Sequence, residues 1–203
     1  MKEKFTAIIR KYVPGSSVDY CVDLWDTYKF SFKVSKERRS KLGDYRFHKP
    51  RKQHIITVNG NLNSYGFLIT YVHEVAHMIH YELKGNNQPP HGSFWKKIFR
   101  ELMLPLLDVE IFPLDLLDQL KIHMKNPKAS SYSDPALAKV IKKYDPDQPL
   151  FESLLEEIDV GEKFRLHGRT YEKVQKRRTR CLCREIQSGK KYLISEIAVV
   201  KKV

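Results

Sequence analysis

The sequence predicts an α+β fold over most of the chain and a small all-β unit at its C-terminus. Before residue 60, apolar residues recur at helical spacing in two segments and alternate with polar residues in others. A long helical stretch follows and ends at Gly85, and beyond Val160 the pattern changes to short β-type segments. We therefore expect an α+β domain at 1–124, a linker with short helices at 125–160 and a β domain at 161–203.

Two helices and three strands are predicted before residue 60. Pro14 and Gly15 end the first helix, and Trp25 lies on the apolar, core-facing side of the second. Phe30 and Phe32 alternate with polar residues, as in a half-buried strand. Residues 42–44 are typical of a turn. The expected elements are helices at 3–12 and 17–28 and strands at 29–35, 45–48 and 54–58.

The segment HEVAH places two histidines and a glutamate on one helix. At about 3.6 residues per turn, His73 and His77 point the same way, so two imidazole nitrogens can bind one metal ion. Glu74 is offset by one residue, which brings its carboxylate beside the metal's open position, where a general base can act on water. An amphipathic helix with surface histidines is the alternative. A third histidine and a core-facing stripe favour the metal site; the stripe consists of Leu68, Val72, Val75 and Ile79.

A hydrolytic zinc site normally has three protein ligands, and His91 is the best candidate for the third. The loop after Gly85 can turn the chain back, and Ser93 is expected to cap a second helix packed against the first. His80 competes, but it lies about 10 Å along the helix axis from His73, which is too far to share one ion. We therefore expect His80 to support the ligands from behind or to face solvent.

Two segments, HEVAHMIHYELKG and HGSFWKKIF, resemble the SprT-like metallopeptidase family, which includes the Spartan-type proteases. The segments LGDYR and ITVN are similar to the family's lead-in, so the resemblance covers roughly residues 15–115. It implies Zn²⁺ ligands at His73, His77 and His91 and a catalytic glutamate at Glu74. It also implies cleavage of proteins bound or crosslinked to DNA, with DNA as the activator.

The helices and small sheet beside the HExxH helix predict a zincin-like architecture. In metalloproteases of this shape, an edge strand of the sheet pairs with the extended substrate through its unpaired backbone groups. We expect residues 54–58 to supply that edge. The block 33–54 contains nine basic and two acidic residues and would flank the cleft, either as a nucleic-acid contact or as a solvated surface.

The stretch between residue 103 and residue 160 has weaker signals. Pro105 and Pro113 interrupt a leucine-rich run at 103–120, which we expect to form irregular or short helical pieces. Residues 125–134 are polar with Pro and Ser, as in a linker or a surface loop. A helix is expected at 135–144, a turn-rich boundary at 145–149 and a short helical lead at 150–158.

Four strands are predicted at the C-terminus, at 163–167, 170–175, 179–186 and 191–200, which suggests a small SH3-like β-barrel. Five basic residues crowd its middle, with Tyr171 and Tyr192 nearby. Such a surface is suited to phosphate backbones and to base stacking, although a packing domain without such a partner is the alternative. The expected nucleic-acid contacts are Lys176, Arg177, Arg178, Arg180 and Arg184.

A net charge of +13 over 203 residues invites polyanions as partners. Residues 161–203 hold 13 Lys or Arg and four Glu, a net charge of +9. Three cysteines indicate no disulfide framework, and Cys181 and Cys183 are expected to pack on one face of a strand. No run approaches a membrane span, and the first 15 residues have too short an apolar segment for a signal peptide. We therefore expect a soluble, cytoplasmic protein with no membrane partner.

These observations together predict a zinc-dependent endopeptidase. Its three histidines would hold Zn²⁺, and Glu74 would take a proton from water and pass it to the leaving amine of a protein substrate. Two other classes stay open: a metal-dependent hydrolase of a non-protein substrate, and a nucleic-acid-binding protein with a structural zinc site. The residue that stabilises the oxyanion also stays open among Tyr45, Tyr132 and Tyr144.

Overall fold

The structure, a computed structural model, describes residues 1–38, 41–85, 88–145 and 152–203. The chain forms two compact units, an N-terminal unit of residues 1–145 and a C-terminal unit of residues 146–203. Each unit has its own cluster of buried apolar side chains. Over the described ranges, no helix is both long enough and apolar enough to cross a lipid bilayer.

Within its described residues, the N-terminal unit contains six α-helices and a three-stranded sheet. Every element predicted before residue 60 is present, with ends shifted by up to three residues. The helices are α1 (Lys2–Ile9), α2 (Val18–Tyr28), α3 (Ser64–Lys84), α4 (Ser93–Met103), α5 (Leu114–Lys125) and α6 (Pro135–Lys142), and the strands are β1 (Ser31–Ser35), β2 (Gly43–His48) and β3 (Gln53–Asn59).

The central strand of this sheet is β3, parallel to β1 on one side and antiparallel to β2 on the other. The prediction that residues 54–58 form the edge strand is therefore wrong. Four consecutive residues of β3, from Ile56 to Asn59, are buried, as expected for a strand covered on both faces. The edge strand next to α3 is β2, in which Tyr45 is opposite Ile56.

The long helix α3 carries the HEVAH segment through the middle of the unit. Its first turn is capped by Asn63, whose side chain accepts a hydrogen bond from the Gly66 N–H at 2.9 Å. The helix ends at Gly85, which adopts a positive φ of 60° that favours glycine. Thirteen of its residues are buried, including the whole predicted core-facing stripe, so packing fixes the helix firmly in the unit.

Aromatic side chains join α1, α2 and the sheet. Phe5 stacks on Trp25 with ring centroids 4.8 Å apart, and the Trp25 indole N–H donates to the carbonyl of Phe30 at 2.9 Å. The Tyr71 hydroxyl donates to the carbonyl of Cys21 at 2.8 Å, which links α3 to α2. Trp25 thus packs against the core, as predicted, while its one polar atom is satisfied.

Residues 103–145 are more regular than the sequence predicts. Pro113 occupies the cap position just before α5, a helix of 12 residues, where a proline removes no helical hydrogen bond. The predicted linker or surface loop at 125–134 is partly buried: Ser131 is 7% exposed and Tyr132 packs against the core. Nδ1 of His123 lies 2.8 Å from Oδ2 of Asp134, which ties the end of α5 to the start of α6.

The C-terminal unit, over its described residues, is a six-stranded antiparallel sheet with the order β4-β9-β5-β6-β7-β8. No strand pairing found among the described residues joins β4 to β8, so the predicted SH3-like barrel is not closed here. The strands are β4 (Glu152–Leu154), β5 (Lys163–Leu166), β6 (Arg169–Lys176), β7 (Arg180–Glu185), β8 (Lys191–Ser195) and β9 (Val199–Lys202).

Two predicted elements of this unit are corrected. The helical lead predicted at 150–158 is instead strand β4 followed by a short 3₁₀ turn. Residues 150 and 151 of this predicted lead, and residues 146–149 of the predicted turn-rich boundary, lie outside the described residues. The predicted strand at 191–200 is divided into β8 and β9 by a turn in which the Ala198 N–H donates to Ser195 at 3.0 Å. The turn lets β9 pair with β4 and β5, far from β8 in the sheet order.

The core of the C-terminal unit includes Phe164, Tyr171 and both of its cysteines. Cys181 and Cys183 are fully buried at alternate positions of β7, as the sequence predicts. Burial raises the pKa of the Cys183 thiol to about 11. A thiol with so high a pKa is a packing group rather than a reactive or metal-binding one.

Candidate metal centre

Three histidine nitrogens converge on one point at the centre of the N-terminal unit. The Nε2 atoms of His73 and His77, one turn apart on α3, are 3.0 Å from each other. Nε2 of His91 lies 2.9 Å from that of His77 and 3.3 Å from that of His73. A tetrahedral ion bound at 2.0–2.1 Å would separate its nitrogen ligands by roughly 3.3 Å. These residues therefore fit a metal ion.

His91 reaches this point from the loop between α3 and α4. The loop closes with a hydrogen bond from the Gly92 N–H to the carbonyl of Pro89 at 3.0 Å, immediately before α4. Ser93 is the first helical residue, and Gly92, with extended backbone, occupies the cap position without a side-chain hydrogen bond. The prediction that Ser93 caps the helix is therefore wrong by one residue. Residues 86 and 87 of the loop lie outside the described residues.

Burial keeps the three imidazoles neutral. It lowers the pKa of His73 well below its ordinary value and that of His77 to about 3, and the neighbouring histidines lower both further. The pKa of His91 is also lowered, by burial, by His80 and by Lys96. A neutral imidazole keeps a lone pair for a cation, so the chemical state of the three side chains suits metal binding.

Trp95 packs against all three histidines, and the motif spacing alone assigns it no role. Its ring centroid lies 4.6 Å from that of His73, 5.1 Å from that of His77 and 4.7 Å from that of His91. The side chain is fully buried and stacks on Phe99 at 5.0 Å. In the sequence, the only sign of this contact is that Trp95, which lies on α4, follows His91 by four residues. Trp95 restricts the orientation of each imidazole ring.

Glu74 lies beside the histidines on the face of α3 that meets β2. Its side chain is 6% exposed and occupies space against Gly43 and Thr70. A Cβ built on Gly43 would lie 2.7 Å from Cγ of Glu74, so only glycine leaves room for this side chain. The sequence predicts a turn at 42–44, whereas Gly43 is the first residue of β2. Because Gly43 has no side chain, β2 can approach Glu74 on α3 closely.

The electrostatic surroundings of Glu74 raise its pKa to about 8. Burial is the largest cause, followed by the negative charge of Asp44. Arg38, Lys41 and hydrogen bonding from the Tyr45 backbone act in the opposite direction. A carboxyl group with a pKa near neutrality can both accept and release a proton in a reaction near pH 7.

His80 stands apart from the metal centre. It is 4% exposed and packs on Phe94, with ring centroids 5.8 Å apart. Its Nε2 atom is buried without a hydrogen-bond partner among the described residues, and the converging group contains only the other three histidines. The expectation that His80 faces solvent is therefore wrong: the buried side chain contributes to the lining of the cleft and lowers the pKa of His77 and His91. That His80 supports the ligands from behind stays a prediction.

A cleft of about 960 Å³ opens onto Glu74 and the three histidines. One wall is the edge strand β2, and residues 129–132 contribute to the lining as well. Three members of the basic block, Lys41, Arg46 and Lys49, line the cleft, so that block does flank it. Arg38 instead faces β3, where it donates to Asn59 at 2.8 Å and to Thr57 at 3.0 Å.

The three tyrosines considered for oxyanion stabilisation lie in different places. Tyr45 lines the cleft, but its hydroxyl is 3.0 Å from Nδ1 of His54. The Tyr132 hydroxyl lies beside Gly66, about two helical turns before the ligands on α3. The Tyr144 hydroxyl donates to Asp115 at 2.6 Å and lies outside the cleft lining. Tyr45 and Tyr132 thus both line the cleft, and Tyr45 also hydrogen-bonds to Glu74 through its backbone.

The five basic residues predicted to contact nucleic acid lie on β6, β7 and their connection. Lys176 pairs with Glu196 at 3.4 Å, and Arg184 pairs with Glu172 at 2.6 Å. Arg177, Arg178 and Arg180 are exposed at the hairpin tip. Tyr171 is 7% exposed and stacks on Phe164, and the hydroxyl of Tyr192 donates to Glu185 at 3.4 Å. Base stacking on Tyr171 is therefore excluded by its burial.

Comparisons with known proteins give one match. A family model described as the SprT-like family matches residues 4–112. This range includes the three histidines, Glu74 and β2, and it covers more than half of the 203 residues. The comparisons with curated proteins and with solved structures found no match.

Proposed function

Because the chain belongs to the SprT-like family, we propose that it is a zinc-dependent endopeptidase. The observation that carries the proposal is the convergence of three neutral imidazoles on one point, with the Glu74 carboxylate beside them in an open cleft. The α+β arrangement of a sheet against the HExxH helix also suits a zincin-like fold.

His73, His77 and His91 would hold Zn²⁺ through their Nε2 atoms. When bound, Zn²⁺ polarises the scissile carbonyl and makes water more acidic. A carboxylate oxygen of Glu74 then accepts a proton from the attacking water and later delivers it to the leaving amine. Gly43 and Thr70 confine the side chain of Glu74, so the carboxylate keeps its direction during both proton transfers.

The substrate would bind as an extended strand along β2. This strand lies at the edge of the sheet next to Glu74, and its outward backbone groups can pair with another chain without reading side chains. A cleft that works through backbone pairing requires an unfolded or flexible protein segment. We therefore expect cleavage in disordered regions.

We further propose that the substrates are proteins bound or crosslinked to DNA, as the family resemblance implies. The exposed arginines Arg177, Arg178 and Arg180 support a nucleic-acid contact, because none has an acidic partner in the described parts of the chain. Phosphate contacts would come from this hairpin tip, whereas Lys176 and Arg184 contribute less because their charges are already paired.

The peptidase proposal is tested with purified protein and a disordered, DNA-binding protein substrate, with and without single-stranded DNA. Glu74→Gln is expected to retain zinc and to lose cleavage, while the exposed control Glu101→Gln on α4 keeps both. Cleavage that depends on Glu74 but not on DNA would keep the peptidase and remove the DNA-linked substrate. Turnover of another substrate without proteolysis would indicate a different hydrolase. Zinc retention with no Glu74-dependent activity would indicate a structural metal.

The nucleic-acid contact has its own test. Replacing Arg177, Arg178 and Arg180 by Gln is expected to weaken single-stranded DNA binding and to reduce the slope of log K against log salt by about 0.7 for each lost phosphate contact. Arg165→Gln, an exposed change on β5, serves as the matched control. An unchanged salt slope in the triple variant would remove the hairpin from the proposal.

A further inference from the structure

Four rings form a cluster at one end of the cleft, around the C-terminal half of α3. Phe47 lies 4.9 Å from His54 and 5.1 Å from Tyr81 between ring centroids, and Tyr45 lies 5.9 Å from His54 and 6.0 Å from Tyr81. All four side chains are half-buried, so each ring keeps an accessible part. Tyr45, Phe47 and Tyr81 belong to the lining of the cleft that contains Glu74.

The cluster is continuous with the reaction centre. Side chains alternate along a strand, so Gly43, Tyr45 and Phe47 share the face of β2 that meets α3. Gly43 lies against Glu74 at one end of this face, and Phe47 is at the other, about 13 Å further along the strand. Tyr81 is about two helical turns after Glu74 on α3. The strand and the helix therefore extend together from the carboxylate to the rings.

Polar contacts hold the rings in place. His54 has its Nδ1 atom 3.0 Å from the Tyr45 hydroxyl and its Nε2 atom 3.3 Å from the Glu82 carboxylate. The imidazole is thereby fixed on both sides between β2 and α3. A preformed aromatic surface costs less side-chain entropy on binding than one that must be assembled.

We infer that Tyr45, Phe47 and Tyr81 form a specificity subsite that accepts one large apolar side chain of the substrate. The inference rests on the proposed endopeptidase function and adds a sequence preference to it. A segment paired along β2 points alternate side chains at the face that carries these rings, where an aromatic or aliphatic side chain makes cross-strand contacts. Glu74 lies beside Gly43 and Tyr45, which places the cleaved bond near these two residues of β2. The substrate side chain opposite Phe47 therefore belongs to a residue about two to four positions from the cleaved bond.

The experiment uses the zinc-loaded full chain and a set of peptides in which a single Phe is moved along an otherwise Ser- and Ala-rich sequence. Mass spectrometry locates the cleaved bonds. The expected result is cleavage at a fixed offset from Phe that moves with it, with kcat/KM about 10-fold above the peptide without Phe. Cleavage positions that ignore Phe would overturn the inference.

Variants identify the rings that make the subsite. Phe47→Ala and Tyr81→Ala are expected to lose the roughly 10-fold preference for Phe while retaining zinc and the slow cleavage of the parent peptide. Tyr81→Phe should keep the preference, and so should Leu83→Ala, which removes a 60% exposed apolar side chain from the same helix. An undiminished preference for Phe in both alanine variants would refute the assignment of the subsite to these rings. If Phe47→Ala fails to fold, the result for Tyr81→Ala, a change on the helix, decides the test.

Failure of this inference can be separated from failure of the proposed function. Cleavage that requires Glu74 but shows no preference for Phe removes the subsite and leaves the peptidase. Absence of any Glu74-dependent cleavage removes both. If Phe47→Ala and Tyr81→Ala instead weaken the binding of a single-stranded oligonucleotide and leave the peptide preference unchanged, the rings stack nucleobases and the peptide subsite is rejected.

Discussion

The carboxylate of Glu74 lies in the space that a side chain on Gly43 would occupy. A Cβ at residue 43 would be 2.7 Å from Cγ of Glu74 and 2.7 Å from Cγ2 of Thr70, well inside van der Waals contact. Both neighbours are buried, so neither can move away easily. The edge strand β2 and the helix α3 are thus fitted to each other at the position where the proposed proton transfer would occur.

Gly43→Ala is therefore expected to displace Glu74 and to lower kcat/KM for peptide cleavage by about 10- to 100-fold, because displacements near 1 Å at a reacting group cost that much. Zinc content should stay at the wild-type value. Gly15→Ala, where no atom lies within 4 Å of the new methyl group, is the matched control. Wild-type kinetics in Gly43→Ala would contradict the close approach.

His91 and His80 give a second prediction, since both follow His77 but only His91 joins the converging nitrogens. His91→Ala is expected to weaken zinc binding by about 100-fold or more, as measured by competition with a chelator. His80→Gln should bind zinc close to wild type. The reverse ranking of the two variants would show that the third ligand has been assigned to the wrong histidine.

Lys173 gives a prediction for the stability of the C-terminal unit. Its side chain is 3% exposed, and Nζ donates to the carbonyls of Leu155 at 2.9 Å, Glu156 at 3.3 Å and Ile158. Lys173→Met leaves these carbonyls without their donor and should destabilise the unit by about 2 to 4 kcal/mol. Hydrogen exchange of peptides from β5 to β9 measures the loss.

Lys176→Met is the control for Lys173→Met, because Lys176 is exposed and its pair with Glu196 should contribute less than about 1 kcal/mol. Peptides from the N-terminal unit supply an internal reference in the same measurement. Equal protection of β5 to β9 in both variants would show that the buried ammonium group has no stabilising role.

Acid should destabilise the metal-free protein through the ligand histidines. Burial lowers the pKa of His77 to about 3 and that of His73 also falls well below 6.5, so below pH 6.5 the unfolded chain binds protons that the folded chain does not. The contribution of these histidines is thus complete above pH 6.5 and falls as the pH is lowered toward 3, by about 2 kcal/mol for His77 at pH 5. Glu74, whose pKa is raised to about 8, contributes in the opposite direction between pH 8 and pH 4.5. Urea unfolding in the presence of a chelator at pH 7 and pH 5 measures the difference.

His77→Gln removes one of these groups and should reduce the pH dependence of the unfolding free energy by about 2 kcal/mol at pH 5. An equal change in unfolding free energy between pH 7 and pH 5 in His77→Gln and in the metal-free wild type would contradict the depressed pKa of His77. The same experiment at saturating zinc shows how far the metal protects the fold.

The sequence by itself determined the features that depend on residues near in the chain. The four-residue spacing in HEVAH places His73 and His77 on one side of a helix by helical geometry alone. The helix-breaking Gly85 predicted the end of α3, which the positive φ of this residue confirms. Alternation predicted β1 to β3 and β5 to β7, and the spacing of Cys181 and Cys183 predicted their common face.

The tertiary structure alone decided which strand is the edge, why residue 43 is glycine, and what packs against the three histidines. Alternation describes one strand, whereas the central position of β3 depends on its pairing with both β1 and β2. The contacts of Gly43 with Glu74 and of Trp95 with His73 and His77 join segments distant in sequence. The same holds for the C-terminal unit, because an open sheet and a closed barrel contain similar strands and differ only in whether the first and last strands of the sheet pair. That pairing is a long-range contact, which local sequence patterns do not encode.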